Sequence, residues 1–165
     1  MENKKLLSLL RGLGACEEAI IWVADRNLQA TWDECERADW LLWLCGKMVD
    51  KPGWPTRRQV VLAACDCAET ALKFVPKGEK RPKKAIKTAR AWVACCATLE
   101  EVRAAAADAA TAATAAAADY AAAATAAADA AYAATAAGYA AAATRTKALK
   151  RMADIVRKTL FVPKD

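Results

Sequence analysis

Between residues 104 and 143 the chain is alanine at 29 of 40 positions, and no other feature limits the fold as strongly. Alanine is the best intrinsic helix former and is depleted in strands. No proline occurs between Pro82 and Pro163, so Leu99 to Leu160 has the local propensity to be one helix. At 100° per residue, Asp108, Thr111, Thr114, Asp119, Thr125, Asp129, Tyr132, Thr135 and Tyr139 share one half of the helical wheel. The opposite face holds Val102, Ala109, Ala113, Ala116, Ala127, Ala131 and Ala134, then Leu149, Met152, Val156 and Leu160, with Tyr120, Gly138 and Arg145 as exceptions. Unbroken, the 62 residues from 99 to 160 would span ~93 Å, against a radius of gyration of about 15 Å for a compact chain of this size. The tract therefore protrudes as a rod or folds back, with Gly138 the available breaker, and the steady phase favours the rod. Its alanine face lets another helix approach to ~8 Å, which also suits self-association into a homo-oligomer.

The remaining segments also read as helices. Leu6–Leu10 is a short first helix stopped near Gly12 and Gly14, and Cys16–Asp25 follows with Glu17 and Glu18 in its first turn. Thr31-Trp-Asp-Glu34 has the pattern of a capping box and opens a helix to about Cys45, with Gly46 as its stop. Pro55 starts the next helix, through about Lys73, and Pro82 starts another, through Ala97. Thr98-Leu-Glu-Glu101 is a second capping box. The fold class is all-α: a compact helical bundle over residues 1–98, followed by a long alanine-rich helix or helical hairpin over 99–165.

Composition removes several chemistries. The 165 residues include no histidine, which excludes Ser/His/Asp and Cys/His catalysis and His-ligated metals. Seven cysteines stand at 16, 35, 45, 65, 67, 95 and 96, without zinc-ligand spacing. They read as small apolar fillers in a reduced, cytoplasmic protein. Arg11 cuts the apolar run after Met1–Lys5 to about five residues, short of the ~7–15 of an export signal. Asp108, Asp119 and Asp129 likewise deny the alanine tract to a membrane. A protein with no cofactor, no metal and no enzymatic activity is expected.

The formal charge of +6 is unevenly spread: residues 1–50 carry net −3, residues 51–98 net +8 and residues 99–165 net +1. Such a layout bears on the choice of partner more than on the fold. Its acidic pole is Asp33, Glu34, Glu36 and Asp39, set in the run Trp32 to Cys45 with Trp40 and Trp43. These carboxylates beside tryptophans form a candidate docking patch for a protein partner, while Trp40 and Trp43 also serve as core. The second choice is the basic side of the helix after Pro82, namely Lys83, Lys84, Lys87 and Arg90, opposite Ala85, Ile86, Ala89, Trp92, Val93 and Cys96. Nucleic acid is a minor reading of this basic face, since interleaved aromatics for base stacking are missing from 77–90.

Several blocks occur in order: Gly14-Ala-Cys-Glu-Glu-Ala19, Trp32-Asp-Glu-Cys-Glu-Arg-Ala-Asp-Trp-Leu-Leu-Trp43, Val60-Val-Leu-Ala-Ala-Cys-Asp-Cys-Ala68 and Phe74-Val-Pro-Lys-Gly-Glu-Lys-Arg-Pro-Lys-Lys-Ala-Ile86. An Ala/Asp/Tyr-rich tract and Ala153-Asp-Ile-Val-Arg-Lys158 close the series. In these the chain resembles the immunity-protein family of bacterial polymorphic-toxin systems, which also occurs in phages. The resemblance implies an all-helical, antitoxin-like protein that neutralises a cognate toxin or effector by stoichiometric binding. Immunity proteins against basic nucleases are usually acidic, whereas this chain is net basic. Either the target is not a basic nuclease or contact is made through residues 1–50. The alternatives are a phage-encoded inhibitor of a host defence complex and a structural, self-associating rod.

Overall fold

The computed structural model describes residues 1–75, 77–111 and 131–163, and every regular element among them is helical. In chain order these are α1 (Asn3–Gly12), α2 (Glu17–Val23), α3 (Leu28–Glu34), α4 (Ala38–Met48), α5 (Arg57–Glu69), a 3-10 turn (Leu72–Phe74), α6 (Arg81–Val93), α7 (residues 99–111) and α8 (Ala131–Thr159). The helical propensity of the alanine tract is thus realised at both of its described ends. The question of one rod or a hairpin lies outside the described residues, because it turns on 112–130. The chain divides into two compact units, Met1–Ala64 with Ala148–Asp165, and Cys65–Lys147.

In the first unit, each helix contributes one apolar stripe to a shared core. Leu6 and Leu10 come from α1, Val23 from α2, Leu28 and Trp32 from α3, and Leu41, Leu44, Cys45 and Met48 from α4. Ala153 and Val156 of α8 join them, followed by Leu160 and Val162 beyond its end. Burying one such leucine or valine side chain contributes about 1.5–3 kcal/mol. On α4 the core is made by Ala38, Leu41, Leu44, Cys45 and Met48, whereas Trp40 and Trp43, expected as core, remain half-exposed.

The helix ends show which local signals the backbone uses. Gly14, at φ +79°, closes α1: its N–H and that of Ala15 donate to the carbonyls of Arg11 and Leu10 at 3.1 and 2.9 Å, a Schellman arrangement. Gly53 holds φ +77°, which strains any residue with a side chain, and an added Cβ there would also press on Cγ of Pro163 at 3.3 Å.

The helix expected to open at Thr31 and run to Cys45 is instead two helices. Asn27 caps the first, its Oδ1 accepting the Ala30 N–H at 2.8 Å, so Thr31 lies inside α3. The chain leaves helical geometry at Cys35 (ψ 116°) and Arg37 (ψ 91°) before α4 begins at Ala38. No glycine or proline marks this break. Its stabiliser comes from α8, where Arg157 Nε donates to the Trp32 carbonyl at 2.8 Å and Nη2 donates to the Cys35 carbonyl. Those acceptors at the end of α3 have no partner further along α3 itself.

Pro55 also differs from its expected place. It is buried ahead of α5, and Thr56 and Gln59 form the capping box that starts the helix, with Thr56 N to Gln59 Oε1 at 2.8 Å and Gln59 N to Thr56 Oγ1 at 3.4 Å. The helix stops at Glu69 rather than near Lys73.

In the second unit, α6 starts at Arg81 with Pro82 in its first turn and ends at Val93, short of Ala97. Glu79 receives the Arg81 backbone N–H at 2.8 Å and chelates its guanidinium, which holds the Glu79 carboxyl down to about 2. The capping box at Thr98 is present, with Thr98 N to Glu101 Oε2 at 2.6 Å and Glu101 N to Thr98 Oγ1 at 3.2 Å. The Thr98 N–H and then its hydroxyl, both donating to the Glu101 carboxylate, lower that carboxyl from its ordinary value.

No disulfide joins any of the seven cysteines. Cys35, Cys45, Cys65 and Cys67 are buried fillers, as expected, but Cys16, Cys95 and Cys96 are exposed. The last two occupy the turn that closes α6, with Cys95 at φ +60° and the Cys96 N–H reaching the Ala91 carbonyl at 2.7 Å. That geometry keeps both out of the α6 apolar stripe and corrects the placement of Cys96 on it.

Candidate functional site

Splitting the acidic run between two helices places its carboxylates around a corner of the first unit. Asp33 and Glu34 end α3, Glu36 lies in the connection, and Asp39 sits in the first turn of α4, where a negative charge suits the helix dipole. All four are exposed.

Each carboxylate has a partner. Both Asp39 oxygens accept from Arg37, Oδ1 from Nε at 2.9 Å and Oδ2 from Nη2 at 2.7 Å. This bidentate contact, more than the opposing cost of desolvation, lowers the Asp39 carboxyl from its usual range and raises the Arg37 guanidinium. Arg37 Nη1 also reaches Glu18 of α2 at 3.2 Å. Arg26 Nε donates to Glu34 at 2.9 Å, Lys150 of α8 to Glu36 at 2.5 Å, and the Gln29 amide to Asp33 at 3.0 Å.

Two tryptophans lie among these charges. Trp22 of α2 and Trp40 of α4 meet edge to face, with centroids 6.1 Å apart and planes at 61°. The Arg26 guanidinium carbon stands 4.3 Å from the Trp22 centroid, and that of Arg37 stands 4.3 Å from the Trp40 centroid. Both are within cation–π range. Together Glu18, Trp22, Arg26, Glu34, Glu36, Arg37 and Trp40 surround a surface depression of about 340 Å³. Asp33 does not border it, and Asp39 borders the neighbouring cavity instead.

Local spacing pointed to the carboxylates and to Trp40 but not to Glu18, Trp22, Arg26 or Lys150. The pair Trp22/Arg26, four residues apart, and the pair Arg37/Trp40, three apart, were the available signals, since such spacings bring side chains together on a helix. Lys150 is 114 residues from Glu36, and no local pattern links them.

The second-choice basic residues do not act as one set. Lys83, Lys84 and Lys87 are exposed on α6. Arg90 is half-buried and binds α5, its Nη2 lying 2.6 Å from Asp66 Oδ1 and 3.1 Å from Glu69 Oε1. It therefore joins α6 to α5 within the second unit.

Among the described residues there is no cluster of three or more metal-ligating side chains, and no helix is long and apolar enough to cross a membrane. No family model, curated protein or solved structure matches the chain.

Proposed function

We propose that this protein is a non-enzymatic binding protein that neutralises a toxin or another effector protein by stoichiometric docking, in the manner the immunity-protein resemblance implies. The carrying observation is the Trp22–Trp40 pair with Arg26 and Arg37 over its rings, rimmed by Glu18, Glu34 and Glu36, with Asp39 holding Arg37. Tryptophan and arginine are the residues most enriched at the energetic centres of protein interfaces. The stacked arginines hold the rings in fixed orientations, which lowers the entropy lost when a partner covers them. Counting Asp33 and Lys150, the corner carries five carboxylates against three cations, so it favours a partner with a basic surface.

The partner is sought by affinity capture of the tagged protein from its native host, followed by titration of the purified pair. Reversing the charge of Asp33, Glu34, Glu36 and Asp39 together weakens that complex by at least tenfold while the helical circular dichroism is retained. Unchanged affinity in the quadruple variant rejects the docking patch. Substituting Lys83, Lys84 and Lys87 instead leaves the affinity within about threefold.

A further inference from the structure

The charged depression has an apolar neighbour. Beside it, α1 to α4 surround a cavity of about 350 Å³ whose buried floor is Leu10, Val23, Leu41 and Leu44. Trp22 and Trp40 border both spaces, so the two form one surface divided by a pair of half-buried rings. The cavity lies at the small end of ligand pockets, which begin near ~300 Å³, and has room for a large side chain but not for a length of backbone. Asp39 is the one charged lining residue among those described, and Arg37 occupies both of its oxygens. What the cavity offers a guest is therefore apolar contact.

On the other side of the rings, the outermost groups are mostly of one sign. The Glu18 and Glu34 side chains are 70% and 57% exposed, whereas Arg37 and Arg26, bonded to them, are only 31% and 34% exposed. Glu36 pairs with Lys150, and both side chains are more than half exposed, so solvent weakens that pair and an incoming cation can compete for it. A partner thus meets carboxylates before guanidiniums, and meets them next to an apolar hole. We propose that one segment of the partner reads both spaces together. A phenylalanine or leucine side chain enters the cavity, and a lysine or arginine one helical turn away sits on Glu18, Glu34 and Glu36, since side chains at that spacing are neighbours. The apolar anchor supplies most of the affinity, and the basic residue supplies orientation and rate of encounter. This inference rests on the docking reading above and adds to it the chemistry of the partner's contact segment.

The test uses the full chain, labelled with ¹⁵N, and a helical alanine–glutamine peptide carrying one phenylalanine and one arginine a helical turn apart. Two control peptides replace the phenylalanine by alanine or the arginine by glutamine. The parent peptide gives saturable amide shifts in the millimolar range at Ala19, Val23 and Leu41 around the cavity and at Glu34 and Glu36 in the corner. Loss of the phenylalanine weakens binding about tenfold or more, as expected for burying one aromatic side chain, and removes the cavity shifts. Loss of the arginine weakens it about threefold, a ratio that shrinks as salt is raised. Cys16→Trp, at the exposed mouth of the cavity, lowers the affinity of the parent peptide to that of the alanine control. Should that variant not fold, the two control peptides decide alone. Dependence on arginine without dependence on phenylalanine overturns the inference and leaves the docking patch standing. Absence of any arginine dependence overturns the joint site and counts against the patch as well. Absence of saturable shifts with the parent peptide also overturns the inference, while the patch is then judged by its charge-reversed variant.

Discussion

Arg157 Nε donates to the Trp32 carbonyl at 2.8 Å, joining residues 125 apart in the chain. The same guanidinium reaches the Cys35 carbonyl through Nη2, while Nη1 rests on Asp154 at 3.0 Å. One side chain of α8 thus satisfies backbone acceptors where α3 stops and the chain turns toward α4. The Asp33–Asp39 corner and the Trp40 ring follow directly from that turn.

Removing this side chain should therefore cost more than a surface charge. Arg157→Ala leaves two backbone acceptors of a partly buried turn without their donor, and a loss of about 2–4 kcal/mol is expected. Arg157→Lys restores one donor and should recover roughly half. Urea denaturation at pH 7 measures both. A change below about 0.5 kcal/mol in Arg157→Ala, the scale of an ordinary surface substitution, would show that the turn holds without the contact.

The α3–α4 break also shows what could be read from sequence. Thr98 with Glu101 and Gly14 at the end of α1 work through neighbours within a few residues, so their roles were legible. Thr31 with Glu34 has the same local pattern, yet Asn27 captures the helix start and Arg157 supports its early end. The capping motif is necessary for that reading but not sufficient, because a donor from a distant helix competes for the same backbone. The site divides similarly. Its carboxylates and Trp40 lie in one short run, whereas Glu18, Trp22, Arg26 and Lys150 arrive through packing.

Burial sorts the thiols into two reactivity classes. It pushes Cys45 up to about 12 and Cys67 up to about 11, and it raises Cys35 and Cys65 from their ordinary value of 9.0. The thiolate is the reactive form, so these four are both inaccessible and protonated at neutral pH. Iodoacetamide at pH 8 under native conditions should alkylate Cys16, Cys95 and Cys96, and the other four after unfolding. Peptide mass spectrometry over a time course distinguishes the classes. Modification of Cys45 as fast as Cys16 in folded protein would contradict the core described for α4.

The Arg37–Asp39 pair links the site to pH. Arg37 lowers the Asp39 carboxyl below its ordinary value of 3.8 in the folded protein. The unfolded chain therefore takes up the proton first as acid is added. The stabilisation is fully present above pH 3.8 and is lost as pH falls from there through the folded value. Asp39 is substantially exposed, with 45% of its side chain accessible, so after solvent screening the contribution is about 1 kcal/mol or less. Asp39→Asn removes the charge while keeping the shape. The stability gap between the two proteins, from urea denaturation at a series of pH values, should be constant near neutrality and close as acid protonates Asp39. Raising the salt concentration should narrow it at pH 7, since exposed pairs are screened. A gap independent of both pH and salt would mean that Asp39 acts through hydrogen bonding at the start of α4 and not through its charge. In that case its place in a charge-steered docking surface would fall as well.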